Sequence, residues 1–253
     1  MCIRDSLWSV RNFFEKHDFD SLDAFLIDFQ NTMLQMRNSK LPVIAAPVGM
    51  SIGGGFEVVL HADHVVSHAN SVMGLVESFV GVVPAGGGCK ETLYRWAENL
   101  GDNHKAAWKS FMNIGLGRRA NSPQEADALS MRRANDVFHM NRDRILNNAL
   151  SSINKVSKAK VREPIALSGA EHFQEMLDWL STNHHKGMLS PHDVTVGTEI
   201  GRIMTGGNCP SGTIFTEQDI LDAERSSFIT LAKTQETQAR IVSMLDNGIT
   251  LRN

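Results

Sequence analysis

Scarce cysteine and the absence of long apolar runs exclude several classes of protein. The three cysteines, Cys2, Cys89 and Cys209, are far apart in a chain of 253 residues and form no C-x-x-C pair. This usage argues against a disulfide framework or a thiolate zinc site and is typical of a reducing compartment. No apolar stretch approaches the roughly 20 residues that span a bilayer, and the first residues lack a signal-peptide core. We therefore predict a cytoplasmic protein without a membrane span.

An excess of either charge sign is also missing. The formal net charge is −3, which gives no general electrostatic reason to expect nucleic acid or an anionic membrane as partner. Hydrophobic residues make up 42% of the chain, enough to bury a sizeable core. The composition predicts an ordinary globular chain that does not bind nucleic acid.

Hydrophobic periodicity divides the first part of the chain into helices and strands. Apolar residues recur three and four apart from Leu22 to Met36, which predicts an amphipathic helix over residues 21–37. Residues 41–48 are nearly all apolar but too few for an independent helix, so we predict a strand buried on both faces. HVVSH, residues 64–68, is predicted as the next strand. Such an alternation of helices and buried strands indicates an α/β fold.

Capping signals locate helices further along the chain. In NSPQEADAL, Ser122, Pro123 and Glu125 form the N-cap, first-turn proline and returning carboxylate of a predicted capping box. DVFHM, residues 136–140, is predicted as a short strand and residues 141–158 as a helix.

The last third of the sequence shows helical periods and loops only. Thr216 and Asp219 mark another capped helix start. We predict a core over residues 7–160 and an all-helical C-terminal region over residues 161–253.

A glycine-rich turn, VGMSIGGGFE at residues 48–57, separates an apolar segment from a predicted helix. Consecutive glycines leave backbone N–H groups accessible, and a helix N-terminus favours developing negative charge, so Gly54 is a candidate oxyanion-hole donor. GMSIG also fits G-x-S-x-G, the nucleophile elbow of α/β-hydrolases, with Ser51 as the nucleophile. No downstream acid and histidine complete a recognisable triad, which makes the hydrolase the alternative interpretation.

Two glutamates interrupt apolar stretches. Glu57 precedes VVL, and Glu77 lies within MGLVESFVGVV. Burial raises a carboxyl pKa and a second carboxylate raises it further, so a neighbouring pair can supply a base and an acid near neutral pH. Each residue taken alone also fits an ordinary role, Glu57 in a first helical turn and Glu77 as a solvated cap. Both interpretations stay open at this point.

Residues 41–93, LPVIAAPVGMSIGGGFEVVLHADHVVSHANSVMGLVESFVGVVPAGGGCKETL, resemble the central signature of the crotonase, or enoyl-CoA hydratase, superfamily. The shared features are an apolar strand, a glycine triplet, a glutamate two residues later, a strand after an aspartate, GLxE and GxxPxxGG. GRRANSPQEADALSMRRANDVF, residues 117–138, is similar to the family's next helix and final strand. The resemblance implies an α/β fold with a crotonase-like ββα-spiral core and a helical C-terminal region.

The resemblance also implies roles for the candidate residues. Gly54 would donate its N–H to the thioester oxygen of a trans-2-enoyl-CoA. Glu57 would help to activate a water molecule, and Glu77 would deliver a proton to C2 of the substrate. The acyl-CoA would contact a set of turn residues: Gly53, Gly54, Gly55 and Pro84. Hydration needs no metal or redox cofactor, and the spacing of His61, Asp63 and His64 is more typical of structural residues than of a metal site.

Two departures from the short family members are expected to matter. Residues 165–215 resemble the longer hydratase region of bifunctional β-oxidation proteins, in which a 3-hydroxyacyl-CoA dehydrogenase precedes the hydratase. MCIRDS resembles no strand of the family, so we expect a chain truncated at its N-terminus, with Leu7 as the leucine of a lost G-A-[DN]-L motif and one oxyanion donor missing. The sequence has no G-x-G-x-x-G fingerprint, so NAD is expected only for an upstream dehydrogenase domain.

Other activities remain compatible with the resemblance. Enoyl-CoA isomerisation and acyl-CoA thioester hydrolysis would use Glu77 and the same oxyanion donor, and an inactive remnant would bind CoA thioesters weakly or not at all. Self-association into a homo-oligomer is expected for the family.

Overall fold

The computed structural model describes residues 3–158 and 161–253 and, within the first helix, side chains from Leu7 onward. Cys2 and the predicted boundary at residue 160 lie outside the described residues. The helices are α1 (Ile3–Glu15), α2 (Phe19–Asn38), α3 (Gly54–His61), α4 (Gly88–Leu100), α5 (Asn103–Gly115), α6 (Pro123–Ala128), α7 (Ile145–Ser152), α8 (Ala170–His185), α9 (Pro191–Thr205), α10 (Glu217–Ala232) and α11 (Gln235–Asn247). Short 3₁₀ helices cover Glu77–Val80, Arg142–Arg144 and Ile153–Lys155.

Within the described residues the strands are short and form three small sheets. They are β1 (Ile44–Ala45), β2 (Met50–Ile52), β3 (His64–His68), β4 (Val72–Gly74), β5 (Arg119–Ala120), β6 (Val137–His139), β7 (Ile165–Ala166) and β8 (Ile214–Phe215). One sheet has the order β1-β3-β6 with parallel pairs, and Val66 lies opposite Val137. In the second sheet, β2 pairs with β4 in parallel and β5 joins β4 antiparallel. The two larger sheets therefore consist mostly of parallel pairs.

The predicted helix at residues 21–37 is confirmed as α2. It begins two residues earlier, because the carboxylate of Asp18 accepts a hydrogen bond from the N–H of Ser21 at 3.1 Å. Its apolar stripe, with Leu22, Leu26 and Met33 buried, packs into the core.

The prediction of a strand buried on both faces at residues 41–48 is wrong in length and burial. Only Ile44 and Ala45 pair with β3, and both are half-buried. Leu41 is 75% exposed. β1 lies at the edge of the described sheet and has a neighbouring strand, β3, on one side only. An interior strand of a parallel sheet has a neighbour on both sides and is more deeply buried.

The capped helix starts are largely confirmed. Ser122 caps α6 and accepts from the N–H of Glu125 at 3.2 Å, but the Glu125 carboxylate returns to the N–H of Asn121, one residue before the cap. Thr216 and Asp219 form the full reciprocal box at α10. The predicted helix at residues 141–158 is interrupted, with α7 flanked by two 3₁₀ turns.

The C-terminal region is helical, as predicted, with one addition. The two-residue strands β7 and β8 pair antiparallel, with Ile165 opposite Phe215, and tie the start of the region to the segment before α10. Buried apolar residues from both parts of the chain form one cluster, from Leu7 to Leu245. Within the part of the chain that the structure describes, no helix is long and apolar enough to cross a membrane.

Candidate active site

The glycine-rich turn connects β2 directly to α3. Gly53 has a φ of 57°, in the left-handed region that favours glycine, and donates its N–H to the carbonyl of Gly74 at 2.9 Å. Gly54 is the first residue of α3. Its N–H therefore has no acceptor within the helix and can donate a hydrogen bond to a negatively charged atom of a ligand.

Glu57 lies one turn further along α3 and is only 3% exposed. Its Oε1 atom accepts two backbone hydrogen bonds, from Gly86 and Gly88, both at 2.8 Å. The two donors belong to the glycine turn that leads into α4, where Gly87 has a φ of 100°. Burial raises the pKa of Glu57 to about 7, although the two N–H donors oppose that rise.

Glu77 begins the 3₁₀ helix at Glu77–Val80 and is 8% exposed. Among the described residues, neither of its carboxyl oxygens has a hydrogen-bond partner. Burial and then the charge of Glu57 raise the pKa of Glu77 to about 8. Glu57 accepts two N–H hydrogen bonds that stabilise its ionised form. The backbone N–H groups of Val76 and Glu77 lower the pKa of Glu77 less than burial and the charge of Glu57 raise it, so the proton of the pair belongs on Glu77.

One cavity of about 70 Å³ brings Gly54, Glu57 and Glu77 together. We call it the carboxylate cavity. Its remaining walls are mostly apolar and include Leu7, Val10, Phe25, Phe29, Val80 and Phe228. Such a space is large enough for a water molecule beside a small reacting group. It holds two carboxyl groups with raised pKa values and a backbone N–H donor.

The other predicted substrate contacts do not line this cavity. Gly53 and Gly55 lie in the turn and in α3, and Pro84 packs beneath Gly88, where an added Cβ would come within 2.7 Å of the Pro84 Cβ. Their contact with a substrate stays a prediction. Leu7 lies within α1 and contributes to the cavity wall.

The aromatic ring of Phe29 closes the carboxylate cavity between its two glycine turns. A Cβ added at Gly86 would lie 2.2 Å from the Phe29 ring, and one added at Gly54 would lie 3.6 Å from it. The neighbouring Gln30 donates to the carbonyl oxygens of Ala85, at 2.9 Å, and Leu221, at 2.8 Å. Helix α2 thereby anchors the turn that holds Glu57.

Glu224 is a site residue that sequence reasoning missed. It comes from α10, is fully buried, and accepts from the N–H groups of Gly87 at 2.7 Å and Lys90 at 2.6 Å. Glu57 and Glu224 thus accept hydrogen bonds from different N–H groups of the same turn. Burial and then the charge of Glu57 raise the pKa of Glu224 well above its usual range. In the sequence Glu224 lies in a stretch of helical periodicity, and no local pattern distinguishes it from other glutamates on helices.

A buried hydrogen-bond chain supports Glu57 from behind. His61 Nδ1 contacts the carbonyl of Glu57 at 2.8 Å, and Lys90 Nζ lies 3.1 Å from His61 Nε2 and 2.5 Å from Glu217. A lysine ammonium only donates, so Nε2 accepts and the His61 proton resides on Nδ1. Burial lowers the pKa of His61 to about 3, which keeps the ring neutral.

Asp63 and His64, two residues of the spacing that was considered as a metal site, contact different partners. His64 faces Asp136 at 3.7 Å, while Asp63 accepts from Lys158 at 2.8 Å. A different group, His104, His172 and Glu175, places three potential ligand atoms within 4.8 Å of one another on the surface. The centroids of its two imidazole rings are 3.5 Å apart, and the ring nitrogens have protein partners: His104 Nε2 lies 3.2 Å from Glu175 Oε2, and His172 Nδ1 lies 3.0 Å from the carbonyl of Ser168.

Ser51 does not occupy an elbow. It lies inside β2, paired with Met73, and the turn to α3 follows at Gly53. A nucleophile elbow places its serine on the turn itself. Within the described residues no histidine forms a hydrogen bond with Ser51.

Comparisons with known proteins identify relatives of this chain. Residues 16–129 match the model of a family described as enoyl-CoA hydratase/isomerase. A probable 3-hydroxyacyl-CoA dehydrogenase of Bacillus subtilis (strain 168) is 31% identical over 256 residues, covering 100% of this chain and 32% of that protein. A probable enoyl-CoA hydratase of Rhizobium meliloti (strain 1021) is 32% identical over 74 residues, 29% of this chain and 29% of that protein. The chain therefore spans about a third or less of the length of these relatives.

Solved structures share the fold. A crystal structure of an enoyl-CoA hydratase from Rhodobacter sphaeroides 2.4.1 has a TM-score of 0.61 at 13% identity, covering 96% of this chain and 72% of that one. An enoyl-CoA hydratase from Bacillus halodurans has a TM-score of 0.57 at 14% identity, covering 94% of this chain and 74% of that one. The likeness confirms the predicted fold class, a crotonase-like α/β core with a helical C-terminal region.

Proposed function

Because residues 16–129 belong to the enoyl-CoA hydratase/isomerase family, we propose that the carboxylate cavity hydrates a trans-2-enoyl-CoA to a 3-hydroxyacyl-CoA. The observation that carries the proposal is the unequal hydrogen bonding of two buried carboxylates beside one backbone donor. Glu57 accepts two N–H groups, Glu77 accepts none among the described residues, and both border the same space as Gly54.

The proposed reaction uses each group once. Water lies between the two carboxyl groups, and ionised Glu57 takes one of its protons as the oxygen attacks C3 of the substrate. Electron density moves through C2 to the thioester oxygen, where the N–H of Gly54 stabilises it, a contribution of about 3 kcal/mol for one such donor. Protonated Glu77 then delivers its proton to C2. Transfer of the proton held by Glu57 back to Glu77 restores both groups.

Two carboxylates favour hydration over isomerisation. An isomerase moves one proton between two carbons and needs a single acid/base group, whereas hydration needs a base for water and an acid for carbon. The proposal therefore predicts that neither Glu57 nor Glu77 is dispensable.

We further propose that the parent protein is bifunctional and acts in fatty-acid β-oxidation. The support is the Bacillus subtilis relative, named a dehydrogenase, whose alignment runs through the whole chain including residues 165–215. NAD would bind to an upstream dehydrogenase domain rather than to these residues. A cytoplasmic location, proposed from the cysteine usage, and assembly into a homo-oligomer complete the proposal.

The test follows the loss of conjugated-thioester absorbance with crotonyl-CoA and with a longer enoyl-CoA. It compares this chain and the natural protein that contains it with their Glu57→Gln and Glu77→Gln variants. We expect each substitution to lower kcat by at least about 100-fold, the range for removal of a general acid or base. Ser51→Ala serves as the matched control and should leave turnover unchanged. Turnover that survives both glutamine substitutions would refute the hydratase proposal, and hydrolysis lost in Ser51→Ala would favour the α/β-hydrolase chemistry.

A further inference from the structure

A second cavity lies on another side of the 3₁₀ helix at Glu77–Val80. Glu77 and Val80 border the carboxylate cavity, whereas Ser78 and Phe79 border this second space. It has a volume of about 330 Å³ and is enclosed by α5, α8, α9 and residues 250–252. We call it the helical cavity. Its volume falls in the range of small-molecule sites in proteins.

One wall of the helical cavity is apolar. Phe111 and Trp179 meet edge to face with ring centroids 5.8 Å apart, and Leu180 and Val196 continue the surface. Aromatic and branched aliphatic side chains of this kind bind a hydrocarbon chain by the removal of apolar surface from water.

The facing wall is polar and connected. Arg240 donates to the carbonyl of Ser78 at 3.3 Å and pairs with Asp193 at 2.8 Å, and Arg252 lies 3.7 Å from Asp193. Two guanidinium groups therefore share one carboxylate on this wall. Arg252 is the more exposed of the two, with 63% of its side chain accessible at the mouth of the cavity.

The accessible charge of the helical cavity is that of Arg252. Ser78 borders the cavity, but its Oγ is fully buried, and Arg240 is 2% exposed and already paired with Asp193. The guanidinium of Arg252 at the mouth selects a ligand of negative charge.

We propose that the helical cavity binds a medium-chain aliphatic carboxylate, with its chain on the apolar wall and its carboxylate toward Arg252 at the mouth. This site goes beyond the proposed hydration, because neither Glu57 nor Glu77 borders it. Binding there does not require a functional carboxylate cavity. The ligand would contact Ser78 and Phe79, the two residues that follow Glu77.

Gly115 provides a way to fill the site without disturbing its walls. It borders the cavity at the end of α5, and an added Cβ would have one neighbour within 4 Å, Ile200 Cδ1 at 3.9 Å. Gly115→Leu should occupy the cavity, whereas Gly115→Ala makes the same backbone change with little added volume. A comparison of the two variants separates the effect of filling the cavity from the effect of replacing glycine.

The experiment is calorimetric titration of octanoate, below its micelle concentration, into the wild-type chain and these variants. We expect one site in the wild type, at least a tenfold weaker Kd in Gly115→Leu, and a Kd within about twofold of wild type in Gly115→Ala. Far-UV circular dichroism and Tm establish that each variant is folded. No binding to the wild type, or equal binding to Gly115→Leu, would overturn the proposal.

A charge variant keeps the proposal testable if Gly115→Leu does not fold. Arg252→Gln should weaken octanoate binding about threefold to tenfold, and the exposed Arg202→Gln on α9, outside the cavity, should not. Titrations with 1-octanol and octanoyl-CoA test whether the cavity binds an alcohol or an acyl thioester rather than a free carboxylate. If either shows the Gly115-dependent binding and octanoate does not, the assignment to a free carboxylate is wrong.

Discussion

At the scale of single residues, hydrogen bonding distinguishes two carboxylates of the same chemical type. Glu57 and Glu77 are both buried, and burial raises both pKa values. Glu57 accepts two N–H hydrogen bonds, from Gly86 and Gly88, whereas the backbone N–H groups near Glu77 lower its pKa less than burial and the charge of Glu57 raise it. The local backbone therefore decides which of the two carboxyl groups ionises more readily, and with it the roles of base and acid in the proposed reaction.

The pH dependence of turnover should show this division. Glu57 must be ionised, which is lost as the pH falls through its pKa of about 7, and Glu77 must be protonated, which is lost as the pH rises through its pKa of about 8. We expect a bell-shaped profile of kcat/KM with its maximum between these values. A profile that keeps rising to pH 10 would contradict the assignment of Glu77 as the acid.

The same pKa shift makes stability depend on pH. The pKa of Glu77 is raised from 4.5 to about 8, so between these values the folded chain binds more protons than the unfolded chain. The free energy of unfolding therefore falls as the pH rises through this window, and the destabilisation is absent below pH 4.5. Glu77→Gln should gain at least about 1 kcal/mol relative to wild type between pH 5 and 8.5, roughly 2–4 °C in Tm.

Thermal unfolding at both pH values measures this gain. The exposed Glu171→Gln is the matched control and should show no such gain. An identical pH dependence in wild type and Glu77→Gln would show that Glu77 titrates normally.

Glu224 yields a prediction about stability alone. Both of its oxygens accept backbone N–H groups, from Gly87 and Lys90. Glu224→Gln would turn one acceptor into an NH₂ group that faces a donor, so we expect a loss of about 1–3 kcal/mol in urea unfolding. The exposed Glu236→Gln should stay within about 0.5 kcal/mol of wild type. A neutral Glu224→Gln would mean that these hydrogen bonds are dispensable.

At the scale of elements, α2 and the turn before α4 are fitted to each other. The Phe29 ring occupies the space where a side chain at Gly86 would be. Gly86→Ala should therefore be destabilising in the wild type, because overpacking of a filled site costs about 1–3 kcal/mol. Phe29→Ala removes the obstacle.

A double-mutant cycle tests this fit. In the Phe29→Ala background, Gly86→Ala should cost at least about 1 kcal/mol less than in the wild type, since residues in contact are energetically coupled. The free energies come from urea unfolding of the four chains. Additive effects would place the two residues out of contact.

At the scale of the whole molecule, the C-terminal region takes part in the site. Glu224 of α10 accepts from the turn at Gly87 and Lys90, and Phe228 lines the carboxylate cavity. Gln30 links the carbonyl of Leu221 in α10 to that of Ala85. The boundary between residues 160 and 161 stays a prediction, but the buried cluster extends across it. A site built from both parts requires that they fold together.

We therefore expect one cooperative unfolding transition. Tryptophan fluorescence reports on both parts of the chain, through Trp96 before the boundary and Trp179 after it. Its midpoint should coincide with that of far-UV circular dichroism, and calorimetric and van't Hoff enthalpies should agree. Two separate transitions would show that the helical region unfolds independently.

The sequence by itself determined the local features whose causes are local. The stripe of α2, the caps at Ser122 and Thr216, and the turn at Gly53 follow from side chains and glycines within a few residues of one another. It also identified Glu57 and Glu77 as carboxylates in apolar surroundings, the family whose model residues 16–129 match, and the fold class.

Only the tertiary structure decided which distant groups meet. Glu224 reaches Gly87 across 137 positions, and Phe29 closes on Gly86 from a separate helix. The strand at residues 41–48 was predicted too long and too buried, because burial depends on neighbours that a periodic pattern does not specify. Packing, rather than propensity, sets the partners of a buried polar group, and those partners set its pKa.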